Sequence, residues 1–297
     1  IVPNDYYLLY LNHMKFKESN SSSQIGVEIT DVDISKPLSK DELNVIYDLW
    51  VRNAVAIFPN QKLSHTEYND FAMQFGSFGD ESFLTPMKSQ IHIVELRRKA
   101  TEEAMHFGGS WHSDWSFQPS PPAATMLHSK IIPPFGGDTL FSNSALAYDE
   151  MSSEMKDKIQ NLKGIHSAKL PYADNGFYAL ENKKRTMKIK SSKSANKQHL
   201  HPIVREHLDT KRKSLFINPV YTIGIEGMDD MEAFEFLSEL FEHMTQDKYI
   251  YRHKWKEDML IMWDNRSVMH MAEGGYDGYE RLMHRITIAG EIPIESI

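Results

Sequence analysis

The stretch Trp111-His112-Ser113-Asp114-Trp115-Ser116-Phe117 decides how this chain is read. Taken as a strand, it sends alternate side chains to opposite faces, so His112 and Asp114 share one face. An imidazole and a carboxylate then converge on one point, and the flanking aromatics keep that point poorly wetted. This is most of what a divalent metal requires. The third donor is offered by Ile261-Met262-Trp263-Asp264-Asn265-Arg266-Ser267-Val268-Met269-His270, which ends in His270.

Two histidines and one carboxylate on one side of a metal leave the opposite positions open, the pattern of non-haem Fe(II) oxygenases. A histidine with an aspartate two places on is weak alone in a chain of 14 histidines. The pattern recurs at His207-Leu208-Asp209, inside the charged run at 205–213, and there it reads as a solvated turn. The copy at His112 gains weight from its apolar strand and from three motifs nearer the C-terminus. These are Pro133-Pro134-Phe135-Gly136-Gly137-Asp138-Thr139, then Gly274-Gly275-Tyr276, then Arg281-Leu282-Met283-His284-Arg285-Ile286-Thr287-Ile288-Ala289-Gly290.

In that order these motifs resemble the taurine dioxygenase family of Fe(II)/2-oxoglutarate enzymes, over nearly the whole chain from Gly26 to Gly290. The resemblance implies His112, Asp114 and His270 as iron ligands, and 2-oxoglutarate and O2 as cosubstrates. Succinate and CO2 would be released as a substrate is oxidised, with hydroxylation the implied outcome. Thr139 and Arg281 match the residues that hold the far carboxylate of 2-oxoglutarate. Arg285 matches the arginine that holds the anionic head of the substrate. The chemistry of the residues agrees, because a planar guanidinium grips a carboxylate through two parallel hydrogen bonds. Period two also puts Arg281 and Arg285 on one strand face. Asp264 and Arg266 read as supporting or structural groups rather than ligands.

The implied substrate is a small organic anion, a sulfonate or a carboxylate. Gly108 stands where the taurine enzyme uses an asparagine, so taurine is not singled out. The text from Phe107 to Trp115 is closer to members acting on carboxylates, including those that oxidise N-carboxymethyl amino acids. Trp115 and Phe117 are expected to shield the site from water, with ordinary core as the alternative. Lys169 is a candidate second anion contact, with a surface position as the alternative.

At 297 residues the chain can bury a sizeable core. Its 41% hydrophobic and 25% charged content is that of a globular protein. The formal charge of −8 disfavours a nucleic-acid partner. Cysteine is absent, which excludes disulfides, thiolate catalysis and cysteine-ligated metals. No apolar run approaches a membrane span, and no basic segment with a cleavage site marks a leader. A cytoplasmic protein without membrane contact is expected, and a homo-oligomer is allowed. His13-Met14 reads as a vector junction. Residues 1–13 are then a vector-derived remnant or a disordered N-terminus, and 14–297 one dioxygenase domain.

Along the chain, Ser39 and Ser64 open capping boxes, Ser39-Lys40-Asp41-Glu42 and Ser64-His65-Thr66-Glu67, and so predict two helices. Strands are predicted near 26–34, 54–58, 91–96, 123–128, 139–141, 214–220, 249–255, 258–263 and 281–289. Residues 97–109 read as a mobile loop beside the metal. Further helices are predicted over 144–161 and from Asp229 or Asp230, the latter with Phe234, Leu237, Phe241 and Met244 facing the core. The block 162–200 is the least regular, and its basic, serine-rich part reads as a solvated or disordered insertion. The expected fold is mostly β with flanking helices, a double-stranded β-helix (jelly roll). The rival functions are a metal-free jelly roll that binds a small anion, and a zinc hydrolase using the same three ligands.

Overall fold

The computed structural model describes residues 14–181 and 184–295. The expectation for residues 1–13 lies outside the described residues. The chain is mostly β, with helices packed on it. Its main sheet has seven strands, in spatial order Lys15–Glu18, Val27–Thr30, Val55–Phe58, Leu260–Asp264, Ala124–Ile131, Arg281–Ile288 and Val94–Arg98. Among the described residues only the pair Val27–Thr30 and Val55–Phe58 runs parallel. A parallel pair needs a crossover, and the helix Lys40–Asn53 supplies it. A smaller sheet has Thr139–Asn143 between Ile250–His253 and Val268–Ala272.

Period two sorts the main sheet into two cores. Ala56, Phe58, Met126, Leu260, Met262, Ile286 and Ile288 pack against Ile46, Leu49, Trp50, Tyr68 and Phe71 of the helices Lys40–Asn53 and His65–Met73. Val55, Ile57, Leu127, Ile261, Trp263 and Met283 face the other way, onto Phe141 and Val268 of the smaller sheet. Arg281 and Arg285 share this second face with Met283, as alternation requires. Both capping boxes form: the Ser39 and Ser64 hydroxyls accept from the backbone of Glu42 and Glu67, whose carboxylates return the bond.

Several expectations are corrected. The 111–117 stretch is not a strand. His112 makes one antiparallel bridge to His270, and the chain then turns, with Trp115 at φ 46°. The strand expected at 91–96 lies at Val94–Arg98, and the helix expected over 144–161 is two short helices, Ser144–Asp149 and Ser153–Ile159. A strand over Val268–Ala272, not anticipated, carries His270. In the helix Asp230–Met244 the buried face is Ala233, Phe236, Leu237, Leu240 and Met244, whereas Phe234 is exposed. The described part of 162–200 is built rather than irregular. It contains the strands Lys163–Ser167 and Gln198–Pro202, and it buries Tyr172.

Candidate active site

The bridge between His112 and His270 sets the two imidazoles side by side. His112 N–H donates to the His270 carbonyl at 3.0 Å, and the return bond is 2.7 Å. The ring centroids are 4.2 Å apart. The turn after Ser113 swings Asp114 against both rings. His112 Nε2 lies 3.7 Å from Asp114 Oδ1, and His270 Nε2 lies 3.7 Å from Asp114 Oδ2. One donor atom from each residue lies within 4.8 Å of the others, and all three residues are buried. His112 Nδ1 is 2.7 Å from the Ser110 carbonyl. That contact places the proton on Nδ1 and turns the Nε2 lone pair inward. A nitrogen–nitrogen–oxygen donor set of this kind suits Fe(II).

Burial holds both imidazoles below their usual range, His270 at about 3, so both are neutral near pH 7. Burial would raise the Asp114 carboxyl, but the Arg285 guanidinium and the two imidazoles outweigh it and hold it well below the usual carboxylate range. Behind the carboxylate runs a chain of hydrogen bonds. Thr125 Oγ1 donates to Asp114 Oδ2 at 2.6 Å, Asn265 Nδ2 donates to Thr125 Oγ1 at 2.9 Å, and Trp263 Nε1 donates to Asn265 Oδ1 at 3.0 Å. The Trp263 ring also packs on His270, with centroids 4.6 Å apart.

Two cavities open from these donors. The narrower, about 70 Å³, is lined by His112, His270, Thr139, Arg98, Arg281 and Arg285 among others. Arg281 is buried there, and its Nε has no partner. Its Nη2 makes a 3.4 Å contact to the Gly137 carbonyl, and Tyr276 is its other polar neighbour. Among the described residues no carboxylate pairs with it, and burial lowers its affinity for its proton. A desolvated cation without a counter-charge is costly, so this corner is built for an anion. Thr139 Oγ1 accepts from Trp255 Nε1 at 2.9 Å, which leaves the hydroxyl proton free to donate. Gly137, at φ 72°, lets the chain pass this corner: a Cβ there would stand 3.3 Å from Arg281 Nε.

The wider cavity, about 270 Å³, is walled by Phe107, Trp115, Tyr172, Tyr178 and Tyr221, with Asp114 and Arg285 at its base. Arg285 Nη1 donates to Asp114 Oδ1 at 2.9 Å, and Nε donates to Glu81 Oε1 at 3.1 Å. Trp115 Nε1 donates to the other oxygen of Glu81 at 2.9 Å. Burial raises the Glu81 carboxyl above its usual range despite the Arg285 charge. Phe117 is buried behind Trp115, with centroids 5.5 Å apart, and lines neither cavity. Lys169 is exposed and also lines neither; Leu170, Pro171 and Tyr172 of its short helix reach the cavity instead. The loop at 99–110 supplies His106 to Ser110 to the wall and is tied down by Arg98, whose Nη2 bonds the Glu102 carbonyl at 2.8 Å and Asp277 at 2.9 Å.

The second histidine–aspartate copy is not a solvated turn. His207 is 1% exposed, and its Nε2 lies 2.9 Å from Asp264 Oδ2. Arg266 donates to both oxygens of Asp264 at 2.8 Å. This network joins loop to sheet and lines neither cavity. The expected solvated basic segment also misses Arg185, which lines the narrower cavity and pairs with Glu181 at 2.6 Å. Glu81, Thr125 and Asn265 were not singled out by the sequence. Nothing local marks them, since their partners are remote in the chain.

Residues 17–287 match the family model described as taurine catabolism dioxygenase TauD, TfdA family. The chain is 32% identical over 260 residues to an alpha-ketoglutarate-dependent 2,4-dichlorophenoxyacetate dioxygenase of Cupriavidus pinatubonensis, covering 82% of this chain and 87% of the relative. It is 30% identical over 275 residues to an alkylsulfatase of Acinetobacter baylyi, covering 91% of this chain and 84% of the relative. Its fold superposes on the crystal structure of a taurine dioxygenase from Burkholderia xenovorans with a TM-score of 0.78 and 26% identity, covering 95% of this chain and 91% of that one.

Proposed function

The chain belongs to the TauD, TfdA family of dioxygenases, and on that premise we propose that it is an Fe(II)- and 2-oxoglutarate-dependent dioxygenase that hydroxylates a small organic anion. The observation that carries the reading is the buried, unpaired Arg281 beside three converging metal donors. A hydrolase or a simple anion binder has no need of both. Residues 14–297 are read as one domain, a jelly roll formed by the two facing sheets, acting in the cytoplasm. Among the described residues no helix is long and apolar enough to cross a membrane.

In this reading His112, Asp114 and His270 hold the iron. Arg281 and Thr139 grip the far carboxylate of 2-oxoglutarate in the narrower cavity, the guanidinium by two donors and the hydroxyl by its free proton. When bound, ferrous iron with 2-oxoglutarate and O2 supplies the oxidising chemistry and yields succinate and CO2. The chain's own share is positioning and dryness. Thr125 and Asn265 fix the Asp114 carboxylate, and Trp263 fixes the His270 ring. Trp115 and Tyr221 keep water from the reacting centre, with Phe117 packed behind them. Arg285 offers the substrate its anion contact. Lys169 is left with no part in it.

The test is succinate release by the iron-loaded protein across sulfonates, aryloxy acids and N-substituted amino acids. Release above the substrate-free background with at least one class is expected. No release with any class, and none without substrate, would refute the reading.

A further inference from the structure

The three nitrogens of Arg285 are not equally free. Nε is taken by Glu81 and Nη1 by Asp114, while Nη2 is buried without a partner. Each edge of a guanidinium that can grip an anion with two parallel donors includes Nη2 and one of the other nitrogens. Both edges are therefore half occupied, and an incoming head group meets one nitrogen. Glu81 also fixes the indole of Trp115, so one carboxylate sets both the contact and the wall beside it. The side chains of Arg285 and Glu81 are 4% and 6% exposed, so solvent screens this charge little.

We propose that Glu81 determines the specificity of the wider cavity, restricting it to organic monoanions that present one oxygen to Arg285 Nη2 on an apolar body. This rests on the dioxygenase reading above. Arg285 and Asp114 cancel in charge, and a divalent ion cancels against doubly charged 2-oxoglutarate, so Glu81 is left as a negative charge beside Arg285 that a second negative group on the ligand would oppose. The remaining walls give such a group no counter-charge. Among the described residues lining this cavity, Arg285 is the only arginine or lysine and Asp114 the only carboxylate. The mouth continues the apolar walls outward, since Met105, Leu170 and Phe177 line it and are 63%, 55% and 45% exposed. A ligand body longer than the cavity would stay in apolar contact there.

The experiment is equilibrium dialysis of the full chain, loaded with Mn(II) and saturated with 2-oxoglutarate, against 3-phenylpropionate and benzylmalonate. The two probes differ by one carboxylate. Wild type should bind the monoanion at least about tenfold more tightly. Glu81→Gln, checked for an unchanged melting temperature, should narrow that ratio at least about fivefold, by tighter dianion binding. A merely structural role for Glu81 would weaken both probes alike. Equal binding of the two probes by wild type, a comparison that needs no variant, overturns the proposal. So does an unmoved ratio in Glu81→Gln. Failure of 2-oxoglutarate itself to bind the Mn(II)-loaded protein would instead refute the dioxygenase reading, and this inference with it.

Discussion

Replacing Arg281 by methionine should make the ligand-free protein more stable and blind to 2-oxoglutarate. Arg281 is 8% exposed, with a 3.4 Å hydrogen bond to the Gly137 carbonyl and a polar contact with Tyr276, whose ring centroid lies 5.9 Å away. An uncompensated buried charge costs about 3–5 kcal/mol, of which these contacts recover part. Methionine keeps the aliphatic stem and drops the charge. A gain of about 1–3 kcal/mol is expected, or a melting temperature higher by ~2–6 °C in a chain of this size. Two charge-assisted hydrogen bonds of about 1.5–3 kcal/mol each would be lost from 2-oxoglutarate, roughly 10²–10⁴-fold in Kd. The assay is thermal melting with Mn(II), with and without 2-oxoglutarate. At about 100 Kd the ligand should stabilise wild type by ~2.7 kcal/mol. Arg281→Met should start higher and not shift at that concentration. A variant that melts lower than wild type and still shifts with 2-oxoglutarate would refute the assignment of this arginine.

Thr125→Val removes the donor to Asp114 Oδ2 and strands Asn265 Nδ2; Mn(II) affinity should fall about 10–100-fold, and an unchanged titration would show the chain of bonds to be idle. His253 is buried and pushed down to about 3, against about 6.5 in the unfolded chain. Between those values the unfolded state holds a proton that the folded state lacks, so stability is lost as pH falls through that window, by ~1.4 kcal/mol per pH unit. His253→Phe should therefore lose ~2 kcal/mol less than wild type between pH 7 and pH 5 in urea melts, and equal losses would contradict this. Gly137→Ala forces an alanine to φ 72° beside Arg281; a loss of more than about 1 kcal/mol is expected in chemical denaturation, with weaker 2-oxoglutarate binding.

The convergence of His112, Asp114 and His270 was legible because imidazole and carboxylate are rare in an apolar run, yet the route to it differs from the one expected. Strand alternation does not converge His112 and Asp114; a single bridge and a turn with Trp115 at φ 46° do. Alternation did place Arg281 and Arg285 correctly, since they lie in a real strand whose other face packs on helices. The two capping boxes were legible because their hydrogen bonds close within four residues. What stayed hidden depends on partners remote in sequence. Glu81 sits in Asp80-Glu81-Ser82, where no local pattern marks it, and Arg285 and Trp115 give it its buried role. His207 was masked in the same way by its charged neighbours, because Asp264 buries it. The polar composition around 162–200 concealed the strands Lys163–Ser167 and Gln198–Pro202.

If His112, Asp114 and His270 hold one ferrous ion next to a bound 2-oxoglutarate, anaerobic titration with Fe(II) in the presence of 2-oxoglutarate should raise the weak visible charge-transfer band of the chelated metal. The band should saturate at one equivalent, vanish in His112→Ala and persist in His207→Ala. A band that survives His112→Ala and is lost with His207→Ala would put the iron elsewhere.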